Sequence, residues 1–359
     1  MPTRREFIAI TAAALAAQAS GMAAVKPAPK PLEILFLGGT GFLGPHQINY
    51  AVARGHRVSM FNRGSNAGMY GDAVEELTGN RDSKIDDGLA ALEGDRTWDV
   101  VVDNSGYVPR HVHDSATLLK GRCRRYIYVS TVAVYDFENA SVFPESAKLA
   151  ELSDPSIEDV TGETYGPLKA ECDRIARDIL GARCTVVRPT YVVGPGDHTD
   201  RFTYWVDRIS RGGDVLAPGG PDLVSQWVDA RDLCPWIVTL AENDTPGVFN
   251  AAGPVSTTTR TGLMWGLLAS ATSQTRFYWP EFSLLEEMDI DLPMMGRDNS
   301  ALFVNAASIG AGLEYRSLAD TAAGTLQWWQ SQTAERRANA RRWPSPEKEQ
   351  AAIKKLKAV

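Results

Sequence analysis

The sequence is poor in the residues that staple small folds or hold metals. Its four cysteines, Cys123, Cys172, Cys184 and Cys234, lie far apart without CxxC spacing. Neither a thiolate metal site nor a redox dithiol is indicated, and buried free thiols are the expectation. No HxxxH pattern or carboxylate cluster suggests a metal, and no GxSxG marks a hydrolase nucleophile. Positive charge is also short: 37 Lys and Arg stand against 44 Asp and Glu, a net charge of −7. Such a balance offers no general attraction to phosphate backbones, so no nucleic-acid partner is expected. No run reaches the roughly 20 predominantly apolar residues of a membrane-spanning helix.

What is present begins at the N-terminus. Arg4-Arg5-Glu6-Phe7-Ile8 precedes an Ala-rich run, Ala9 to Ala17, then small residues and the Pro-rich Lys26 to Pro31. That order reads as a cleavable export signal. Its paired arginines followed by Phe resemble a twin-arginine signal, the address of a bacterial route that carries folded proteins across the inner membrane. The expectation is a periplasmic protein with the twin-arginine export machinery as a transient partner and residues 1–30 as signal and linker.

Beyond it, short apolar runs alternate with segments long enough for a crossover helix. Strands are readable at Leu32 to Leu37, Arg57 to Phe61, Ala73 to Leu77, Trp98 to Asp103 and Arg125 to Ser130, with a helix around Gln47 to Ala53. Repeated βα order implies an α/β, Rossmann-type doubly wound parallel sheet. With 359 residues, one large domain and a smaller C-terminal substrate-binding lobe are expected. The nucleotide-binding part is assigned to 31–190, completed by about 225–253, and the lobe to 191–224 and 254–332. The charged stretch 333–359 reads as a solvated helix or loose tail.

The first strand runs directly into Gly38-Gly39-Thr40-Gly41-Phe42-Leu43-Gly44. Gly38 would permit the tight turn, Gly41 would let backbone approach a pyrophosphate, and Gly44 would let helix pack close to strand, with the helix N-terminus supplying NH groups. The second strand ends at Asn62-Arg63, beside the place for an adenosine ribose. A carboxylate there would accept from the 2′-hydroxyl of NAD; Asn62 cannot repel a 2′-phosphate and Arg63 could bind one, so NADP is favoured over NAD. An ordinary solvated loop arginine is the plainer account of Arg63. Asn80 is a positional candidate for the adenine edge, and Ser105 and Gly106 follow the fourth strand where the cofactor should pass.

The segment YIYVSTVAVY carries Ser130 and Thr131 to the end of its strand, and the helix-patterned TYGPLKAECDRIARDIL places Tyr165 and Lys169 four residues apart on one face. A free tyrosine, with a pKa near about 10, is a poor base at neutral pH. A nearby ammonium and an oxidised nicotinamide would favour the phenolate, letting Tyr165 take a hydroxyl proton while hydride leaves the same carbon. Thr131 would hold the substrate oxygen, with Ser130 turned elsewhere, and Lys169 would donate to the nicotinamide ribose. Pro167 inside the motif is tolerable only in the first turn of its helix.

Together these residues, with RPTYVVGPGD at Arg188 to Asp197 and WVDARDL at Trp227 to Leu233, resemble the epimerase/dehydratase branch of the extended short-chain dehydrogenase/reductase family. The likeness runs from about Leu32 to Trp328. It implies Tyr/Lys-assisted hydride chemistry on NAD(P) and a substrate lobe beside the cleft. It also implies that Pro189, Tyr191 and Val192 lie near the nicotinamide carboxamide, and makes a homodimer through a helix pair an expectation. Asn62 departs from the carboxylate usual in the family's NAD enzymes.

In the substrate half, Phe202, Tyr204, Trp205, Phe277, Tyr278 and Trp279 read either as core or as stacking surfaces for a sugar or aromatic substrate, with core the commoner fate. Arg201 and Arg208 read either as anion contacts or as a solvated helix face. Export matters to function because soluble cofactor belongs to the cytoplasm, so an exported holoenzyme should hold its cofactor tightly and regenerate it. The leading expectation is an epimerase, dehydratase or coupled oxidoreductase acting on a free sugar or glycoside with internally recycled cofactor. The alternatives are an NADPH-dependent carbonyl reductase and, because some relatives of this branch associate with RNA, an RNA-binding module on the same fold.

Overall fold

The computed structural model describes residues 25–138, 140–217, 219–253, 258–268, 274–294, 301–341 and 343–358. Of the signal and linker read at residues 1–30, residues 1–24 lie outside the described residues.

Seven parallel strands form the central sheet: β1 Glu33–Leu37, β2 Arg57–Asn62, β3 Val74–Thr78, β4 Trp98–Asp103, β5 Cys123–Val129, β6 Cys184–Pro189 and β7 Gly247–Ala251, in the spatial order β7-β6-β5-β4-β1-β2-β3. All the strands read in the sequence are present within one or two residues. The chain winds outward from β1 through β2 to β3, then returns to lay β4 on the other side of β1. That reversal opens a crevice at the carboxyl ends of β1 and β4, where doubly wound sheets bind ligands.

Near-continuous apolar sequence in these strands reflects burial on both faces. Ile34 and Phe36 point to one side, where they pack with Ile48, Leu233 and Ile237. Leu35 and Leu37 point to the other, against Val112, Ala116, Leu119, Cys172, Ala176 and Leu180. Helices α1 Leu43–Ala53, α2 Pro109–Leu119, α3 Tyr165–Leu180, α4 Arg201–Ser210 and α5 Ala230–Glu242 follow in the chain. α1 and α5 cover the first face and α2 and α3 the second, as right-handed crossovers require. All four cysteines are buried and free.

A second core lies beyond the sheet. Phe202, Trp205, Val206 and Ile209 of α4 pack with Leu263, Met264 and Leu267 of α6 Arg260–Leu268, with Ala322 of α7 Leu318–Ser331, and with the paired strands Gly213–Leu216 and Thr275–Tyr278. The C-terminal segment belongs to this core, which corrects the reading of 333–359 as a solvated or loose tail. Residues Pro346–Lys357 form helix α8, capped by the Ser345 hydroxyl. Ala352 and Ile353 are buried in the lobe, and the Glu349 carboxylate meets Arg208 Nε at 2.8 Å with both side chains largely sequestered. The charge-rich sequence hid this because so few apolar residues anchor the helix. Among the described residues no helix is long and apolar enough to cross a membrane.

Candidate active site

At the end of β1 the backbone turns sharply. Gly38 has φ +82°, and a β-carbon there would lie 2.9 Å from Ser105 Cβ, so only glycine fits. Gly44, in the first turn of α1, is pressed against the strand end: its hypothetical Cβ would sit 2.1 Å from the Gly39 carbonyl oxygen. A β-carbon on Gly41 would meet nothing within 4 Å; this position faces open space. The loop is held from behind by Asn104, whose Nδ2 donates to Gly38 O (3.1 Å) and Gln47 Oε1 (2.6 Å), by Ser105 Oγ donating to Leu37 O (3.0 Å) and by Tyr70 OH donating to Gly39 O (2.6 Å).

This loop forms one end of a cleft of about 1030 Å³. Gly38, Gly39, Thr40, Gly41, Phe42, Leu43 and Gly44, then Asn62, Arg63, Asn80 and Ser105, line it, as do Thr131, Tyr165, Lys169, Pro189, Tyr191 and Val192. Gly106 does not. It is buried behind the wall, and its carbonyl accepts from Tyr128 OH (2.7 Å) and from Lys169 Nζ (2.7 Å). Its part is to seat Lys169 rather than to face a cofactor.

At the end of the cleft beside β2, Asn62 Oδ1 accepts from Gly64 N at 2.6 Å while Nδ2 is buried without a hydrogen-bond partner. Arg63 beside it is exposed. Asn80 uses its Oδ1 locally, accepting from Asp82 N at 3.0 Å. The sequence reading missed Arg81, whose guanidinium lines the cleft and forms two parallel bonds to Asp103 (2.8 and 2.9 Å). Asp103 also accepts from Tyr126 OH at 2.7 Å. A carboxylate wholly removed from water is tolerable only with such a partner set.

At the other end, α3 begins at Tyr165, so Pro167 falls in the first turn, where its missing NH costs nothing. Gly166 proves as necessary as any glycine of the loop: a Cβ there would come within 2.3 Å of Ala133 O. Its absence lets α3 close onto the turn Val132–Val134, which the Thr131 side chain caps by accepting from Ala133 N at 3.2 Å. Both Ser130 and Thr131 line the cleft, and the buried Ser130 hydroxyl has no partner.

Lys169 is buried, with Nζ donating to Gly106 O (2.7 Å) and Val129 O (2.8 Å) and lying over the rings of Tyr128 (4.3 Å) and Tyr107 (5.1 Å). Burial pushes its ammonium down to about 8. An ammonium has three donors, and two are spent. The Tyr165 phenol is pushed above its ordinary value by burial first and by Tyr107 second; the Thr131 hydroxyl and the Arg201 guanidinium pull the other way without prevailing. Without a ligand Tyr165 is therefore a neutral phenol at neutral pH, because desolvation outweighs the nearby positive charge. The expected activation must come with ligand.

The substrate side of the cleft carries Phe137, Phe303, His198, Thr199 and Arg201. Of the aromatics singled out in the sequence, Phe202, Tyr204 and Trp205 are fully in the lobe core and Phe277, Tyr278 and Trp279 pack partly against it. Among the described residues no group of three or more His, Cys, Asp or Glu side chains is gathered as a metal site.

Comparison with known proteins follows the same lines. The model of the NAD dependent epimerase/dehydratase family matches residues 34–252. A curated relative from Arabidopsis thaliana, the chloroplast stem-loop binding protein of 41 kDa b, is 25% identical over 246 residues, 62% of this chain and 58% of that protein. The match thus spans little more than half of that relative's length. The fold is similar to that of Bacillus cereus UDP-glucuronic acid 4-epimerase in complex with NAD, with TM-score 0.62 and 14% identity over 84% of this chain and 99% of that one. Bacillus anthracis dTDP-glucose 4,6-dehydratase with NAD gives TM-score 0.63 and 16% identity over 86% and 100%. A human epimerase family protein with NADPH gives 0.57 and 18% over 82% and 99%.

Proposed function

The chain belongs to the NAD dependent epimerase/dehydratase family, and from that premise we propose that it is an NAD(P)-dependent epimerase, dehydratase or coupled oxidoreductase acting on a sugar. The observation that carries this reading is that a single cleft joins a glycine loop after β1 to Thr131, Tyr165 and Lys169.

The residues present fit a dinucleotide. The open space at Gly41 suits a pyrophosphate against backbone NH groups. The unpartnered Asn62 Nδ2 is a donor awaiting an acceptor on the adenosine ribose, and with Arg63 it favours the 2′-phosphate of NADP over NAD. Asn80 would meet the adenine edge, the third donor of Lys169 a hydroxyl of the nicotinamide ribose, and Pro189, Tyr191 and Val192 the carboxamide.

Bound NAD(P) would supply the acceptor and donor of hydride. Thr131 holds the substrate oxygen, and Tyr165 accepts its proton and returns it. Lys169 would add positive charge beside Tyr165, held there by its two carbonyl partners and a ribose hydroxyl. Residues 1–30 are proposed to direct twin-arginine export to the periplasm, which would require tight, internally recycled cofactor. Tyr165→Phe tests the assignment. Removing a general acid or base of this kind should cost about 10² to 10⁴ in turnover while nucleotide content is unchanged; a fully active variant would refute the role.

A second reading, RNA binding, is favoured by one observation, the name of the plant relative. A stem-loop complex that weakens steeply with salt and ignores Tyr165→Phe would support it.

A further inference from the structure

The chain carries 44 acidic residues, yet among the described residues lining the cleft there is no Asp or Glu, while Arg63, Arg81, Lys169 and Arg201 are present with His111 and His198. Three of these cations have identifiable employment. Arg81 is neutralised by Asp103 behind it, Lys169 is seated on two carbonyl oxygens, and Arg63 stands beside Asn62 at the adenosine end. Arg201 does not fit this account.

Arg201 stands at the opposite end, half-buried in the first turn of α4. Its guanidinium lies 5.2 Å over the ring of Tyr191, and its Nε donates to Thr199 Oγ1 at 3.0 Å. The Thr199 hydroxyl is itself fixed by donating to Asp197 Oδ1 at 2.6 Å. The side chain is thus oriented from two sides, and its two terminal nitrogens carry no hydrogen bond or ion pair among the described residues. Arg208, two helical turns further on, is committed instead to Glu349, and Arg336 to Asp200. Of the two arginines the sequence raised as anion contacts, the packing of α8 removes one and leaves the other. Arg201 is also near enough to lower the titration of Tyr165, which puts it beside the reacting end of the cleft.

We infer that the substrate is an acidic sugar, whose carboxylate or phosphate is received by the two free terminal nitrogens of Arg201. A guanidinium held planar on an aromatic ring with its outer edge open is the geometry that takes such a group bidentately. Asp197 reaches Arg201 only through the Thr199 hydroxyl, so an anionic ligand would give the guanidinium an ion pair of its own. A neutral glycoside would supply none. The inference rests on the NAD(P)-enzyme reading and narrows its substrate.

The test uses the full chain loaded with NAD(P), so that the glycine loop is filled and cannot itself bind anions. Calorimetry is run with glucose, glucuronate and a hexose phosphate, and repeated on Arg201→Gln and Arg201→Lys, with nucleotide content and melting checked for each. At least one acidic sugar should bind tenfold or more tightly than glucose. Arg201→Gln should abolish that advantage, and Arg201→Lys should keep part of it. Preference for glucuronate would assign a carboxylate, and preference for the hexose phosphate a phosphate. A role of Arg201 confined to tuning Tyr165 would move the pH profile of turnover and leave these affinities unchanged, which would overturn the inference. So would loaded protein that binds glucose as well as either acid, or neither acid. A chain that takes up no NAD(P) would overturn the enzyme reading together with this one.

Discussion

Replacing Lys169 by methionine removes a buried ammonium whose titration is pushed from 10.5 down to about 8 by burial. The depression means that the fold disfavours the charged form, a cost fully present below about pH 8 and relieved as pH rises toward 10.5, where the unfolded chain also loses its proton. At about 1.4 kcal/mol per unit, the full cost is roughly 3 kcal/mol, and about 2 kcal/mol of it should disappear between about pH 7 and pH 9.5. Buried Cys123, Cys172 and Cys184, all pushed upward by burial, act in the opposite sense over the same range, so stability must be compared as wild type minus Lys169→Met. Urea unfolding of cofactor-free protein at several pH values gives that difference. It should move in favour of the wild type by roughly 2 kcal/mol as pH rises. A pH-independent difference would refute the burial argument, and one that moved in favour of the variant would reverse its sign. Saturating NAD(P) should flatten the dependence, because ribose hydroxyls would add a partner for the charged form.

Three further outcomes follow from particular contacts. Gly166→Ala should push α3 away from Ala133 O, costing about 1 to 3 kcal/mol by overpacking and lowering turnover more than nucleotide binding, as unfolding curves and nucleotide titrations would show. Asn62→Asp should place a carboxylate against a 2′-phosphate, weakening NADP at least about tenfold while NAD is held or improved; equal losses of both would contradict the ribose assignment. Ile353→Ala should destabilise the lobe by about 2 to 4 kcal/mol if α8 is part of its core, whereas a solvated tail would show no change in melting.

The parts of this molecule legible in the sequence are those written in contiguous residues. A strand running into Gly38-Gly39-Thr40-Gly41-Phe42-Leu43-Gly44 specifies the turn at Gly38 and the close packing at Gly44, and a four-residue spacing puts Tyr165 and Lys169 on one helix face. Features made by distant segments were not legible. Arg81 and Asp103 meet only because β3 and β4, far apart in the sheet order, both end at the crevice. Asn104 braces the glycine loop from the end of the neighbouring strand β4, and nothing in its sequence neighbours signals that. The need for glycine at 166 was equally hidden, since the Ala133 carbonyl that excludes a side chain comes from another loop. Helix α8 shows mostly charge, and its seat is defined by Arg208 and the lobe rather than by its own pattern. Position also misled at Gly106, where following β4 was not the same as facing the cleft.

NAD(P) binding is tested most directly by mass spectrometry of the nucleotide released when the freshly purified protein is denatured. NADP, or failing that NAD, is expected at about one per chain if the glycine loop, Asn62 and Lys169 hold a dinucleotide as proposed. A chain that is empty as purified and binds neither nucleotide when they are added would contradict it.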